Sequence, residues 1–97
     1  MRPVLHGDVS AAARVLLMVP ACAREALARR LVTQAEAADR YRKRLGKAHP
    51  FWGNGTLMAA ALGWGRLPPE RRLDDPDFAE CFVAVLEALR GRRNMPG

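Results

Sequence analysis

Isoleucine is absent from this sequence, serine occurs once (Ser10) and lysine twice (Lys43 and Lys47). Alanine, with 17 residues, and arginine, with 14, take their place. That skew is what a GC-rich coding sequence produces through codon supply, so part of the basic character is expected to be background. Catalysis through serine has only Ser10 to call on, and it sits in no nucleophile-elbow context. Cysteine is equally scarce. Cys22 and Cys81 are too few for a secreted disulfide framework. Both lie among apolar neighbours in segments that read as helices, and both are expected to be buried free thiols behaving as small hydrophobes. That usage goes with a reducing, cytoplasmic setting.

Long apolar runs are missing too. The opening Met1–Asp8 lacks the apolar core of a signal peptide. The longest stretch without Asp, Glu, Lys or Arg, Ala48 to Gly65, contains Pro50, Gly53, Asn54, Gly55 and Gly63. Those residues would leave backbone groups unpaired in lipid, so no spanning helix and no membrane association are expected.

What remains is a 97-residue chain that is 49% hydrophobic and carries a net charge of +6. The length suits a single helical domain over residues 1–97, burying about two-thirds of the surface its unfolded form exposes. A large enzyme and a multidomain protein are excluded. A pI near 10.6 is a nucleic-acid cue, but the clustering of the charges carries more weight than their number.

Apolar period and punctuation predict an all-α fold of four helices, over about residues 8–19, 20–45, 56–62 and 75–90. Asp8 is expected to cap the first, and Pro20 to end it and open the second. The second helix is long and amphipathic: Ala23, Leu27, Leu31, Ala35, Ala38, Tyr41 and Leu45 form one stripe. Glu25, Arg29, Glu36, Asp39, Arg40 and Lys43 lie opposite, and Gly46 terminates the helix. A loop over 46–55 leads to Thr56, which caps a short third helix, with Asn54 as the alternative cap. That helix is apolar nearly all round and is expected at the centre of the bundle. A polar connector over 63–74 follows, with Trp64 expected in the core. The fourth helix opens at Asp74-Asp75-Pro76-Asp77, with Asp77 as cap and Glu80 completing a capping box. Phe78, Phe82, Val85, Leu86 and Leu89 form its buried stripe, Gly91 stops it, and a basic tail runs over 91–97.

Chemistry-bearing patterns are sparse. His6, His49, Cys22 and Cys81 form no pair at zinc-ligand spacing, so no metal is expected. Gly53-x-Gly55 follows no strand and is no phosphate loop, and no cofactor is expected. Asp74, Asp75, Asp77 and Glu80 are accounted for as helix-start charges. No enzyme is expected.

Two features stand out. The loop Ala48–Gly55 gathers His49, Phe51, Trp52 and Asn54, either as a plug for the end of the core or as an exposed recognition surface for a partner protein. The run Arg40, Arg42, Lys43, Arg44 and Lys47, with Arg90, Arg92 and Arg93 near the end, either complements two helix termini or contacts phosphates. A helix-turn-helix is disfavoured, because the short third helix has no side chains to read bases.

The opening Met1-Arg2-Pro3-Val4-Leu5-His6-Gly7-Asp8, with His49-Pro50-Phe51-Trp52-Gly53-Asn54-Gly55-Thr56-Leu57-Met58-Ala59-Ala60-Ala61, resembles a family of short bacterial proteins of unknown function. The resemblance implies an intracellular single-domain protein and brings no functional residue with it. The residues themselves point to a non-enzymatic adaptor or regulatory module. The alternative is a sequence-tolerant nucleic-acid-binding accessory protein of a DNA-handling complex. A core this small also favours a homodimer through the first or fourth helix.

Overall fold

Alanine decides how closely these helices pack. The computed structural model describes residues 1–92, with α1 (His6–Leu16), α2 (Ala21–Leu45), α3 (Leu57–Leu62) and α4 (Pro76–Gly91) in that order. No strand forms among the described residues, and the fold is all-α as the periodicity predicts. Ala11, Ala12, Ala13, Ala28, Ala35, Ala38, Ala60 and Ala61 are all buried. Their small side chains let the helix axes approach closely. Phe78, Leu16, Leu31, Leu57, Val15 and Val85 fill the remaining core volume.

The centre of the bundle is α1, not α3 as the sequence leads one to expect. α1 packs against all three other helices, whereas α3 and α4 do not touch each other. From Asp8 to Leu16 every residue of α1 is buried except Arg14. That arginine lies along the surface, and its Nε donates to the Pro68 carbonyl at 2.7 Å, pinning the 63–74 connector to α1. In α3 only Leu57, Ala60 and Ala61 are buried, while Met58 and Leu62 face outward. Six residues are too few to be surrounded on every side.

The helix ends differ from expectation where aspartates find better partners. α1 begins at His6, so Asp8 stands at its third position and reaches back, Oδ2 accepting from the Leu5 N–H at 2.9 Å. Its Oδ1 accepts from the Met58 N–H at 3.0 Å, so one buried carboxylate serves the starts of both α1 and α3. α1 stops at Leu16, and a turn leads to Pro20, the residue that precedes α2. Asp75 rather than Asp77 caps α4, its Oδ1 accepting from the Phe78 N–H at 3.1 Å. Asp77 instead meets Arg24, whose Nε also donates to the Leu16 carbonyl at 3.0 Å. The Arg24 guanidinium holds the Asp77 carboxyl below its usual range, and Asp77 in turn raises Arg24. Thr56 caps α3 and Gly46 ends α2 in the left-handed region, both as predicted. Gly91 lies within the last turn of α4 instead of stopping it.

Length sets where the surface features fall. α2, with 25 residues, is about 37 Å long, against about 16 Å for the 11 residues of α1. Leu27, Leu31, Ala35 and Ala38 of its stripe are buried, but its last turn overhangs the bundle and leaves Leu45 55% exposed. Cys22, in its first turn, is exposed; only Cys81 is buried as expected. Leu86, placed in the α4 stripe, is exposed as well. Trp64 is also outside the core, with the Arg30 guanidinium 5.8 Å from its ring centroid.

Candidate functional site

The overhanging end of α2 and the loop that follows it form one corner. After Gly46 the chain folds back on itself: the His49 N–H donates to the Gly53 carbonyl at 2.8 Å, and the Gly53 N–H returns to the His49 carbonyl at 3.2 Å. Inside this small turn the His49 Nδ1 accepts from both the Phe51 and the Trp52 N–H, each at 3.1 Å. Two backbone N–H groups thus converge on a single acceptor nitrogen. The His49 ring stacks on Trp52, centroids 4.5 Å apart and planes 5° apart. Tyr41 of α2 meets His49 in a T-shaped arrangement, ring centroids 4.8 Å apart. The aromatic cluster thus ties the loop to the helix, a contact invisible while Tyr41 is read as one more stripe residue.

The turn is braced from behind. Gly53 has φ +82, and a Cβ on it would fall 2.5 Å from that of Ala59 on α3. No other residue fits there. The Asn54 Oδ1 accepts from the Thr56 N–H at 3.2 Å and from its hydroxyl at 2.9 Å, while the Thr56 Oγ1 accepts from the Ala59 N–H. Asn54, one of the four loop residues expected to contact a partner, is therefore engaged in shaping the turn. His49 and Trp52 are half-buried against each other. Phe51 is the residue left outside, 75% exposed with its ring 5.9 Å from His49. Between a core plug and an exposed surface, the loop divides: His49 and Trp52 pack, and Phe51 projects.

The basic residues divide as well. Asp39, placed by the sequence on the solvated face of α2, is 2% exposed. It accepts from Lys43 at 3.0 Å, from Arg42 at 3.1 Å and from the Met1 ammonium at 3.2 Å. These partners, Lys43 foremost, hold its carboxyl well below the ordinary range despite burial. Arg40, Arg42 and Lys43 beside it suggest a solvated face, but Asp39 stands four residues after Ala35 and seven after Val32, both buried, and so continues the inward stripe. Arg90 pairs with Glu87 at 2.6 Å, and Arg92 with Glu36 of α2 at 3.3 Å. That last contact brings the end of α4 beside α2, one helical turn before Arg40. Arg93 lies outside the described residues. Arg40, Arg44 and Lys47 are exposed, with no carboxylate within ion-pair distance among the described residues. From Arg40 to Pro69 the sequence holds no Asp or Glu at all.

Two cavities adjoin these features. One of about 200 Å³ is lined by Tyr41, Arg44 and Leu45, at the aromatic corner itself. The other, of about 320 Å³, lies between Val4, Leu89, Arg90 and Arg92. Burial pushes the Cys81 thiol up, keeping it protonated. Among the described residues no group of three His, Cys, Asp or Glu side chains converges on a metal position, and no helix is long and apolar enough to cross a membrane.

The profile of a family described as a domain of unknown function (DUF7742) matches residues 2–89. Neither the curated proteins nor the solved structures yield a match.

Proposed function

Because the chain belongs to the DUF7742 family, whose description assigns no activity, its role rests on its own surface, and we propose a non-enzymatic interaction module. Its working part is the corner where the end of α2 meets the 47–55 loop. The observation that carries this reading is Phe51: a large apolar ring, 75% exposed, on a turn that His49 fixes through two backbone hydrogen bonds. Leaving such a ring in water forgoes about 1.5–3 kcal/mol of burial, and fixing it in place lowers the entropy lost when a partner covers it. Neither cavity pairs a carboxylate, imidazole or thiol for acid–base or nucleophilic work, which supports the non-enzymatic half of the proposal.

An adaptor or regulator would take a macromolecular partner on this corner, with Phe51 as the anchor and Trp52 as its support. Replacing Phe51 with a photoreactive phenylalanine in cells that make the protein gives discrete crosslinked products, weakened by Trp52→Ala. The same probe at Leu73, exposed on the connector, gives none. Equal crosslinking from both positions overturns the reading. A second reading, sequence-tolerant binding of nucleic acid, is favoured by the exposed Arg40, Arg44 and Lys47, which have no ion-pair partner among the described residues.

A further inference from the structure

The charge at the corner exceeds what the helix needs. The terminus of α2 presents roughly half a negative charge to be compensated. Arg42 and Lys43 lie within its last turn, their side chains reaching back to Asp39. Arg40, Arg44 and Lys47 add three further cations with no carboxylate within ion-pair distance among the described residues. Helix-end complementation accounts for one or two of these charges and leaves the rest unexplained.

One of these cations, Arg44, also shares a location with the aromatics. Arg44 lines the cavity with Tyr41, and Tyr41 packs on His49, which stacks on Trp52 and lies beside Phe51. The corner thus offers a flat exposed ring next to anion-binding groups. A ligand matching both must carry planar unsatisfied π surfaces and regularly placed negative charges. An acidic peptide supplies the charges without the planes. A duplex keeps its bases stacked inside, and α3, the short helix at this corner, has only Leu, Met and Ala side chains with which to enter a groove. An unpaired strand has both.

We propose that this corner binds single-stranded nucleic acid, with a base stacked on Phe51 and the flanking phosphates held by Arg40, Arg44 and Lys47. The inference rests on the corner being an interaction surface and names its partner. Binding is tolerant of sequence, since every base has a π face and nothing at the corner reads a base edge.

Fluorescence anisotropy of the whole chain with labelled DNA and RNA strands of about a dozen nucleotides tests it. Single strands bind more tightly than the duplex of the same sequence. The logarithm of affinity falls with the logarithm of salt at a slope of about −2, since each of three phosphate contacts contributes about −0.7. Phe51→Ala weakens binding about tenfold at unchanged slope, and Phe51→Trp restores it. Arg44→Ala with Lys47→Ala lowers the slope by about 1.4. All these positions are exposed, and circular dichroism confirms that each variant is folded. Duplex binding as tight as single-strand binding, indifference to Phe51→Ala, or equal competition by polyglutamate overturns the proposal. If single strands fail to bind while a photoreactive residue at position 51 still captures a protein, the nucleic-acid inference alone falls. Silence in both experiments removes the interaction surface with it.

Discussion

Removing the carboxylate of Asp8 tests how a helix of only six residues is held in place. The carboxylate is 6% exposed and accepts from two backbone N–H groups, Leu5 at 2.9 Å and Met58 at 3.0 Å. A hydrogen bond to a charged group contributes about 1.5 kcal/mol or more, and loss of a helix cap typically costs about 1 kcal/mol. Asp8→Ala removes both bonds and is expected to cost about 3 kcal/mol. Asp8→Asn keeps one acceptor oxygen and is expected to cost about half as much. At about 4–8 °C per kcal/mol for a domain this size, the alanine variant melts at least 12 °C lower. The loss has a local signature. Six residues do not sustain a helix alone, so amide exchange in α3 accelerates more than in α2, and the turn braced by Ala59 loosens with it. Urea unfolding followed by circular dichroism gives the energies, and exchange monitored by NMR gives the location. A cost under about 1 kcal/mol for Asp8→Ala, or uniform acceleration in α2 and α3, refutes the double-capping account.

Four further outcomes are expected. Asp39 and Asp77 both have carboxyls held below their usual range, so they contribute stability that is fully present above about pH 4 and is lost as the pH falls below it, through their lowered folded-state values. Denaturation midpoints measured from pH 7 to pH 3 fall steeply for the native chain, and Asp39→Asn starts lower and flattens the slope. An unchanged slope counts against the Asp39 network. Gly55→Ala meets both strain at φ +96 and the Asp39 backbone 2.8 Å away, and should cost more than about 2 kcal/mol; Gly65→Ala, at φ +101 in open space, should cost only about 1. Equal costs in urea melts contradict the close approach. A thiol reagent modifies Cys22 in the folded protein within minutes and Cys81 only after unfolding, so titration reads one fast group; two fast groups show that Cys81 is not buried. Self-association, if it uses a helix face, falls to α4, where Val83 and Leu86 are exposed. Light scattering at tens of micromolar then reads a dimer that Leu86→Glu dissociates, and a monomer throughout discards the idea.

Most of the architecture was legible in the residues because it rests on local rules. The left-handed glycine at 46, the threonine cap at 56 and the heptad-like spacing of Leu27, Leu31, Ala35 and Ala38 are each properties of a few adjacent positions. What was not legible depends on pairs far apart in the chain. Asp8 reads as a cap for the helix it precedes, but its second partner is Met58, 50 positions away. Asp39 continues the inward stripe, but the approach of Gly55 and of Met1 to it is something no periodicity encodes. Trp64 and Cys22 were misplaced for the opposite reason. Hydrophobicity says that a side chain prefers the interior, but whether room exists depends on where a helix overhangs its neighbours. At the corner, the residue types were visible as a cluster. Which ring would project and which would pack shows only in three dimensions, where Trp52 stacks on His49 and Phe51 stays exposed.

The helix that comes first in the chain is the one enclosed by all the others, and this orders events during synthesis. As α1 leaves the ribosome it is a short, alanine-rich segment with nothing to lie against. Its companions arrive only later, and the residues of α4 that complete its enclosure, Phe78, Cys81 and Val85, follow all of α2 and α3. A nascent chain stalled before residue 76 therefore leaves the α4-facing side of its most deeply buried helix uncovered, and the native bundle closes only once α4 is made.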